Sequence, residues 1–272
     1  MNSNKIITGE RIQQLANIYI GTTDDFNYNP IIKNETHKHK FISEINNDYD
    51  NPYIVYFYTH RIKEISEIIQ YFKNPFILLS HNSDMNVYES VETNVILNCP
   101  KLKIWYTQNL CFYHPKISML PIGFANSMWN HGNLSLFDNC DFIRSLSNKK
   151  TQKVYFNFSI ITNSAKRQLC YDIVSSKVQW LENVHPNDNL LRMKDYEFCI
   201  CPEGNGVDCH RFWEALYLKC VPIVVNSPFI ETLKRSNIPL VVLDKWEDLD
   251  IDNLQYSNYH FNEYTIDQFV NL

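Results

Sequence analysis

The stretch from Tyr196 to Val225 constrains the fold more than any other part of the chain. An apolar run at Phe198–Cys201 is ended by Pro202, and a second apolar run occupies Val221–Val225. Between them lie a glycine-containing loop and then residues 209–218, whose apolar positions recur at helical spacing. Strand, loop, helix and strand in this order predict a parallel sheet with helices on its faces.

The loop between the first strand and the helix has the features of an anion-binding site. Gly204 and Gly206 let the main chain approach a ligand closely, and Asp208 is a good N-cap for the helix. A helix N-terminus presents unpaired N–H groups and the positive end of a dipole, which favour a phosphate. In open α/β sheets, ligands bind at such a place, beyond the carboxyl end of a strand.

Two charged side chains, Arg211 and Glu214, lie three residues apart on one face of the predicted helix. The planar guanidinium of Arg211 suits a diphosphate, and Glu214 suits the two hydroxyls of a ribose. The alternative is that the two side chains only pair with each other on a solvated surface. Spacing alone leaves both interpretations open.

The same stretch resembles the donor-binding signature of exostosin-like glycosyltransferases (glycosyltransferase family 47), above all their short members from large DNA viruses such as chloroviruses. The resemblance rests on Phe198-Cys-Ile-Cys-Pro-Glu-Gly-Asn-Gly, on His210-Arg-Phe-Trp-Glu-Ala-Leu and on Cys220-Val-Pro-Ile-Val. It is tight there and weaker over residues 75 to 245. It implies an α/β fold of the GT-B type, in which two Rossmann-like domains face a cleft.

The predicted donor site takes residues from two strand–loop–helix units. The second unit starts with a strand at 153–159, and the resemblance places its polar residues near the donor, although Arg167 also suits a helix surface. The resemblance further puts Glu214 on the ribose and Arg211 near the phosphates. The complete predicted donor set is Asn157, Thr162, Asn163, Arg167, Glu203, Gly204, Asn205, Gly206, Asp208, Arg211 and Glu214.

The first half of the chain also alternates strands and helices. We predict strands at 51–59, 75–80 and 102–107, and helices at 9–20 and 61–72. The polar run His81-Asn-Ser-Asp84 follows the second strand. Transfer to a sugar hydroxyl needs a base, and we predict Asp84 first and His81 second. The alternative is a turn rich in Asn, Asp and Ser that caps the next helix.

The predicted acceptor site comprises polar and aromatic residues of two loops. Asn126, Trp129 and His131 follow a predicted strand at 119–122, and Asn82 lies beside the predicted base. An aromatic ring flanked by amides and an imidazole suits the face of a sugar. The alternative is a loop between domains in which Trp129 is a packing anchor.

Length and composition set the predicted domains and exclude some classes of protein. We predict an acceptor domain at 1–148, a nucleotide-sugar domain at 149–250 and a terminal segment at 251–272 that packs as a helix on the first domain. A net charge of −5 argues against a nucleic-acid-binding protein. No run of 18 apolar residues predicts a membrane span. Eight cysteines without a Cys-x-x-Cys pair indicate reduced thiols. We therefore expect a cytoplasmic protein, and the cytoplasm of an infected host cell is one such location.

These observations and the resemblance together predict the activity. We expect an inverting transfer from a UDP-sugar, with UDP-xylose favoured, to a hydroxyl of an oligosaccharide or glycoprotein glycan. We expect neither a cofactor nor a metal, because the Asp-x-Asp run at Asp248, Asp250 and Asp252 reads as a solvated turn. The alternatives are a GDP-fucose transferase of the same fold and an inactive glycan-binding protein.

Overall fold

The computed structural model describes residues 3–22, Asp25, 38–40 and 53–271. It is an α/β structure with two parallel sheets, which confirms the predicted fold class. The chain divides into two compact units. The N-terminal unit contains Ile7–Ile122 and Ile266–Leu272, and the C-terminal unit contains Met1–Ile6 and Gly123–Thr265.

The strands and helices of the described chain are short. The strands are β1 Ile18–Ile20, β2 Lys38–Lys40, β3 Tyr53–Tyr58, β4 Phe76–His81, β5 Leu102–Thr107, β6 Ile117–Met119, β7 Gln152–Tyr155, β8 Tyr196–Ile200, β9 Val221–Val225 and β10 Val241–Leu243. The α-helices are α1 Gly9–Gln14, α2 Ile62–Ile68, α3 Val91–Leu97, α4 Cys140–Ser145, α5 Ser164–Val174, α6 Pro186–Met193, α7 His210–Tyr217, α8 Pro228–Leu233 and α9 Ile266–Phe269. Short 3-10 helices occupy Ser3–Lys5, Thr59–Arg61, Ile69–Tyr71, Asn130–Gly132, Ser135–Asp138, Ile160–Asn163, Lys234–Ser236, Trp246–Asp248 and Tyr256–Asn258.

The sheet of the N-terminal unit has the strand order β2-β1-β3-β4-β5-β6, and every pair is parallel. Strand β1 pairs with β2 on one side and with β3 on the other, so the direction of winding reverses between β1 and β3. A reversal of this kind opens a crevice at the carboxyl ends of the two strands, where ligands bind in open α/β sheets. The topology therefore marks the ends of β1 and β3 as a candidate site.

The core of the N-terminal unit is rich in tyrosine. Tyr19, Tyr56 and Tyr58 are buried in it, and their hydroxyls are hydrogen-bonded to Gln13. The end of the chain joins this core, since Val270 is buried there and the carbonyl and N–H groups of Asn271 bond to the hydroxyl of Tyr106. Helix α9 and the residues after it thus belong to the N-terminal unit.

The sheet of the C-terminal unit has the order β10-β9-β8-β7, with all strands parallel and no reversal. Its two middle strands carry the apolar runs recognised in the sequence, and residues 198–200 and 221–224 are buried. Phe198, Ile200, Val221 and Ile223 pack in one core with residues of α5. Both middle strands end at polar loops, and the candidate donor site lies there.

Several predicted elements are confirmed, and one is wrong in part. Strands β5 and β9 occupy the residues predicted for them. The helix predicted over 9–20 ends at Gln14, because Ile18–Ile20 pairs with the strands on both sides and is buried at every residue. Backbone pairing outweighs the apolar spacing that suggested a longer helix.

The predicted domain limits stay a prediction, because compactness divides the chain elsewhere, between Ile122 and Gly123. The predicted boundary at 148/149 lies inside the C-terminal unit, and the next residue but one, Lys150, is tied into that unit. Its buried ammonium donates to the carbonyl oxygens of Lys194 and Leu218 at 2.6 and 2.7 Å. None of the helices in the described part of the chain combines the length and apolar character of a membrane span.

Candidate functional site

A cavity of about 340 Å³ lies at the carboxyl ends of β8, β9 and β10 in the C-terminal unit. One wall is the glycine loop, which contributes Cys201, Pro202, Glu203, Val207, Asp208 and Cys209. The loops after β9 and β10 contribute residues 226–230 and 244–247, and α5 contributes Lys166, Leu169 and Ile173. The cavity thus combines aromatic and aliphatic walls with a few charged groups, as small-molecule sites do.

The glycine loop is held by side chains of the first turn of α5 and the residue before it. Asn163 donates from Nδ2 to the carbonyl oxygen of Gly204 at 2.7 Å, and Lys166 forms an ion pair with Glu203. Arg167 donates to the carbonyl oxygens of Glu203 and Ser159, both at 2.8 Å. These bonds join the loop after β7 to the loop after β8.

One donor of Arg167 faces the glycine loop. Its Nη2 makes no hydrogen bond to the residues that the structure describes, and a Cβ placed on Gly204 would lie 3.5 Å from it. Burial lowers the pKa of this guanidinium, but arginine keeps its charge in proteins. A partly desolvated cation with a remaining donor is suited to bind an anion at the loop.

Arg211 and Glu214 form an ion pair, with Nε and Oε2 3.1 Å apart. The side chains are only 15% and 10% exposed, so the pairing alternative is correct in its contact but not in its solvated setting. Arg211 also donates from Nη1 to the carbonyl oxygen of Asn157 at 2.6 Å and lies over the ring of Tyr155. Burial lowers the pKa of Arg211, but the interactions with Glu214, Cys199, Tyr155 and Cys201 together outweigh burial and raise it.

The predicted donor residues fall into three groups. Glu203 and Asp208 line the cavity, and Thr162 and Asn205 are exposed. The others, which are Asn157, Asn163, Arg167, Gly204, Gly206, Arg211 and Glu214, are not among its lining residues. Asn157 instead donates to the carbonyl of Leu181 at 2.8 Å and to Oδ1 of Asn183 at 2.9 Å.

The prediction that Asp208 is the N-cap of α7 is wrong. The N-cap residue is Cys209, which makes no capping bond through its side chain. The carboxylate of Asp208 accepts a hydrogen bond from the indole Nε1 of Trp213 at 2.7 Å, which anchors the loop to the helix. The buried indole N–H requires an acceptor. The carboxylate of Asp208 fills this need and is therefore not used to cap the helix.

Trp129 and His131 form an aromatic surface with His210, which the sequence analysis did not select. The rings of Trp129 and His131 stack with centroids 6.4 Å apart, and His131 meets His210 edge to face at 5.8 Å. His210 donates from Nδ1 to the carbonyl oxygen of Gly123 at 2.8 Å. Trp129 remains 41% exposed, so part of this surface is open to a ligand.

In the loop that carries this surface, the main chain of Asn126 lies directly against Gly132. A Cβ on Gly132 would lie 2.0 Å from the carbonyl oxygen of Asn126, so only glycine fits there. Asn126, a predicted acceptor residue, is buried, and its carbonyl accepts the N–H of Trp129 at 3.0 Å. The main chain of Asn126 thus approaches Gly132 so closely that this turn of the loop requires glycine.

In the N-terminal unit, the two predicted bases occupy different environments. Asp84 is exposed. His81 is 1% exposed, and its Nε2 donates to the carbonyl oxygen of Pro121 at 3.0 Å. Asn82, predicted to contact the acceptor, donates from Nδ2 to the hydroxyl of Tyr56 at 3.2 Å.

A cluster centred on Asp25 occupies the reversal point between β1 and β3, and the sequence analysis missed it. The carboxylate lies 3.0 Å from Nε of Arg61 and 2.8 Å from Nε2 of His60. The main-chain N–H and the hydroxyl of Thr22 donate to it at 2.8 and 2.9 Å. Burial raises the pKa of Asp25, but the hydrogen bonds from Arg61, Thr22 and His60 outweigh burial and lower it to about 2. The available signal was that His60 and Arg61 follow directly on a predicted strand.

Comparison with known proteins finds similarity to glycosyltransferases over parts of the chain. A probable glycosyltransferase of Arabidopsis thaliana is 39% identical over 67 residues, which are 23% of this chain and 12% of the plant protein. Ribitol-5-phosphate xylosyltransferase 1 of Mus musculus is 22% identical over 128 residues, which are 40% of this chain and 28% of the mouse protein. The chain thus spans less than a third of the length of either relative. No family model matches it.

Proposed function

We propose that the protein is a glycosyltransferase that moves a sugar from a UDP-sugar to a hydroxyl group of a glycan. The observation that carries the proposal is the cavity at the ends of β8, β9 and β10, with the glycine loop as one wall. Similarity to two proteins named as glycosyltransferases supports the same activity. The carboxyl edge of a parallel sheet is also where α/β proteins bind nucleotides.

The residues of the cavity and its loop fit the parts of a nucleotide sugar. Phe229 and Trp246 offer apolar surface for a base or sugar ring. Carboxylates and amides of Asp244 and Asn226 supply acceptors for ribose or sugar hydroxyls. Arg167, whose Nη2 faces Gly204, supplies a cation for the diphosphate.

The transfer that we propose inverts the anomeric carbon and needs no metal. The acceptor oxygen forms a bond to the anomeric carbon, and the bond from that carbon to the diphosphate oxygen breaks. UDP leaves with the electron pair, and the acceptor hydroxyl gives up its proton to a base. Arg167 and Lys166 supply the positive charge that stabilises the leaving group in the absence of a metal ion, as pre-positioned charges do in other enzymes.

Xylose is our preferred donor sugar, in keeping with the name of the mouse relative, which is a xylosyltransferase. For the acceptor we propose a glycan, because the exposed ring of Trp129 beside His131 offers a flat surface to a sugar face. An aromatic ring presents such a surface at small entropic cost.

Calorimetric titration with UDP and GDP, each with Mn²⁺ and with EDTA, tests the donor site. We expect micromolar UDP binding that does not change with metal, and UDP release from UDP-xylose once an acceptor glycan is present. Arg167→Met should weaken UDP binding about tenfold or more, because a charge-assisted hydrogen bond contributes roughly 1.5–3 kcal/mol. The control is Arg144→Met, which removes an exposed arginine that pairs with Asp141 and does not line the cavity.

Each alternative predicts a different result of this experiment. A preference for GDP would indicate a fucosyltransferase, and a strict need for Mn²⁺ would contradict the metal-independent mechanism. UDP binding without sugar transfer would indicate an inactive binding protein. Absence of binding to either nucleotide would contradict the proposed donor site.

A further inference from the structure

Arg167 and Arg211 of the C-terminal unit differ in what surrounds their charge. Arg211 has a carboxylate partner, since its Nε lies 3.1 Å from Oε2 of Glu214. Arg167 forms no ion pair with the residues that the structure describes, and its Nε and Nη1 donate to the main-chain carbonyls of Glu203 and Ser159. A carbonyl accepts a hydrogen bond without cancelling the charge, so Arg167 is the cation that remains available to an anion.

The guanidinium of Arg211 is enclosed by groups of its own unit. Its Nη1 donates to the carbonyl oxygen of Asn157 at 2.6 Å, and it lies over the ring of Tyr155, 5.7 Å from the centre of that ring. It also shares a hydrogen bond with the side chain of Cys199. Arg211 is not among the residues that line the cavity. A phosphate that contacted this guanidinium would compete with Glu214 for the same charge.

The segment after β7 connects the two arginines. Arg211 donates to the carbonyl of Asn157, and Arg167 donates from Nη1 to the carbonyl of Ser159, two residues further along. On its other side, Arg167 donates from Nε to the carbonyl of Glu203 in the glycine loop at 2.8 Å. Residues 157–159 are therefore held between two guanidiniums, and a displacement at Asn157 moves the acceptor that orients Arg167.

The side chain of Asn157 holds the same segment from another direction. Its Nδ2 donates to the carbonyl of Leu181 at 2.8 Å and to Oδ1 of Asn183 at 2.9 Å. Asn157 is buried and is not among the residues that line the cavity. Both its main-chain carbonyl and its side-chain amide are thus used in contacts within the unit, which fix the path of the chain beside Arg167.

We propose that Arg211 is a positioning residue, which holds the segment after β7 so that Arg167 faces the glycine loop, and that Arg211 does not itself contact the ligand. The inference rests on the proposed UDP-sugar donor, because its diphosphate is the group that Arg167 meets. This role differs from the place near the phosphates that the family resemblance implies for Arg211. Glu214 is then the counter-charge of Arg211.

The test is a double-mutant cycle on the affinity for UDP, measured by calorimetry for the wild type, Arg167→Met, Arg211→Lys and the double variant. Arg211→Lys keeps a positive charge beside Glu214 but lacks the forked donor that reaches Asn157. We expect it to weaken UDP binding by about fivefold to tenfold, as for the partial loss of a charge-assisted hydrogen bond. In the Arg167→Met background, the same change should alter the affinity by less than about twofold, because changes that act through one group are not additive. Uridine, which lacks phosphates, should bind all four proteins equally.

Two further variants complete the design. Asn157→Ala loosens the same segment while Arg211 keeps its partners, so it should weaken UDP binding by about threefold or more, again only when Arg167 is present. This variant also keeps the inference testable if Arg211→Lys does not fold. Arg144→Lys is the matched control, because Arg144 pairs with a carboxylate three residues away but is exposed. It should leave the affinity for UDP unchanged.

Three results would overturn the inference. Equal losses of UDP affinity from Arg211→Lys with and without Arg167 would show that Arg211 contacts the ligand directly. Equal losses of uridine and UDP affinity would show that Arg211 only supports the fold. Unchanged UDP affinity of Arg211→Lys would show that Arg167 does not depend on Arg211. A wild type that binds no UDP would instead refute the proposed function, and the positioning role with it, so the two failures are distinguishable.

A second measurement tests the geometry without any ligand. Nitrogen-15 spectra of arginine side chains, assigned with Arg167→Met, should show an Nε–H signal of Arg167 that is protected from exchange, because this group donates to the carbonyl of Glu203. Arg211→Lys should shift this signal and accelerate its exchange by about tenfold, since the local structure opens more often. Arg144→Lys should leave it unchanged. An Arg167 signal that does not respond to Arg211→Lys would overturn the inference.

Discussion

At the carboxyl ends of the strands, each of the two sheets has a cluster of hydrogen-bonded side chains, and the central charges of the two clusters are opposite in sign. In the N-terminal unit the centre is an acid, Asp25, surrounded by donors from Thr22, His60 and Arg61. In the C-terminal unit the centres are two cations, Arg167 and Arg211, which donate to main-chain carbonyls. The first arrangement holds a partly exposed imidazole against a buried carboxylate, and the second presents partly desolvated cations of the kind that suits an anion. The carboxyl edges of the two parallel sheets thus differ in the charge at their centre.

The largest expected effect concerns the cationic centre. Arg211→Ala leaves the buried carboxylate of Glu214 without its partner and the carbonyl of Asn157 without its donor. Removing one partner of a buried pair typically lowers the free energy of unfolding by about 3–5 kcal/mol. Urea denaturation measures this change, and UDP titration of the remaining folded protein measures its effect on the loop.

The matched control for this prediction is Arg144→Ala. Arg144 and Asp141 have the same i,i+3 spacing as Arg211 and Glu214, but their side chains are 79% and 89% exposed. An exposed pair contributes about 0–1 kcal/mol. Equal losses of unfolding free energy in the two variants would contradict the prediction that burial makes the Arg211–Glu214 pair the more stabilising of the two.

The sequence was sufficient to predict the two middle strands of the C-terminal sheet and the helix between them, because their signals are local. Apolar runs of strand length, a proline stop and a helical face all fall within 196–225, and β8, α7 and β9 form there. The loop contacts of Arg167 and the aromatic contact of His210 were not predictable. They join residues 159 to 203 and 131 to 210, and no periodicity reports such distances along the chain.

The acidic centre escaped prediction for a related reason. Its members come from two separate segments, around Thr22 and around His60, and they meet only because β1 pairs with β3. The helix predicted over 9–20 concealed β1, since three buried residues are too few to give a period-two pattern. Without β1, the reversal in strand order has no sequence signal.

A second prediction concerns the packing of the aromatic surface in the C-terminal unit. Gly132→Ala would place a methyl group 2.0 Å from the carbonyl oxygen of Asn126, a contact that the backbone must relieve by moving. We expect unfolding to become easier by about 2–3 kcal/mol, as for other overpacked sites. Fluorescence of Trp129 should change in the folded variant, because its ring stacks on His131. A stability equal to that of the wild type would contradict the close approach.

A third prediction concerns the pH dependence of stability, to which Asp25 of the N-terminal unit contributes. The pKa of Asp25 is lowered in the folded state, so the carboxylate contributes stability that is present above its ordinary pKa, near 3.8. This contribution is lost as the pH falls towards about 2, because the folded protein must then take up the proton. We expect a loss of roughly 1–2 kcal/mol over this range. Asp25→Asn should remove this part of the acid dependence, measured by denaturation at pH 2 to 7, and an unchanged profile would contradict the acidic centre.

The smallest expected effect on stability belongs to Gly204, at the cationic centre. A Cβ there would lie 3.4 Å from the Cβ of Cys209 and 3.5 Å from Nη2 of Arg167, which are ordinary or slightly tight contacts. Gly204→Ala should therefore change the free energy of unfolding by less than about 1 kcal/mol. The added methyl group would nevertheless stand between the guanidinium and an incoming anion, so UDP affinity should fall much more than stability. If both stay unchanged, Arg167 does not receive the diphosphate across this glycine, and the anion-binding role that we propose for the C-terminal sheet is wrong.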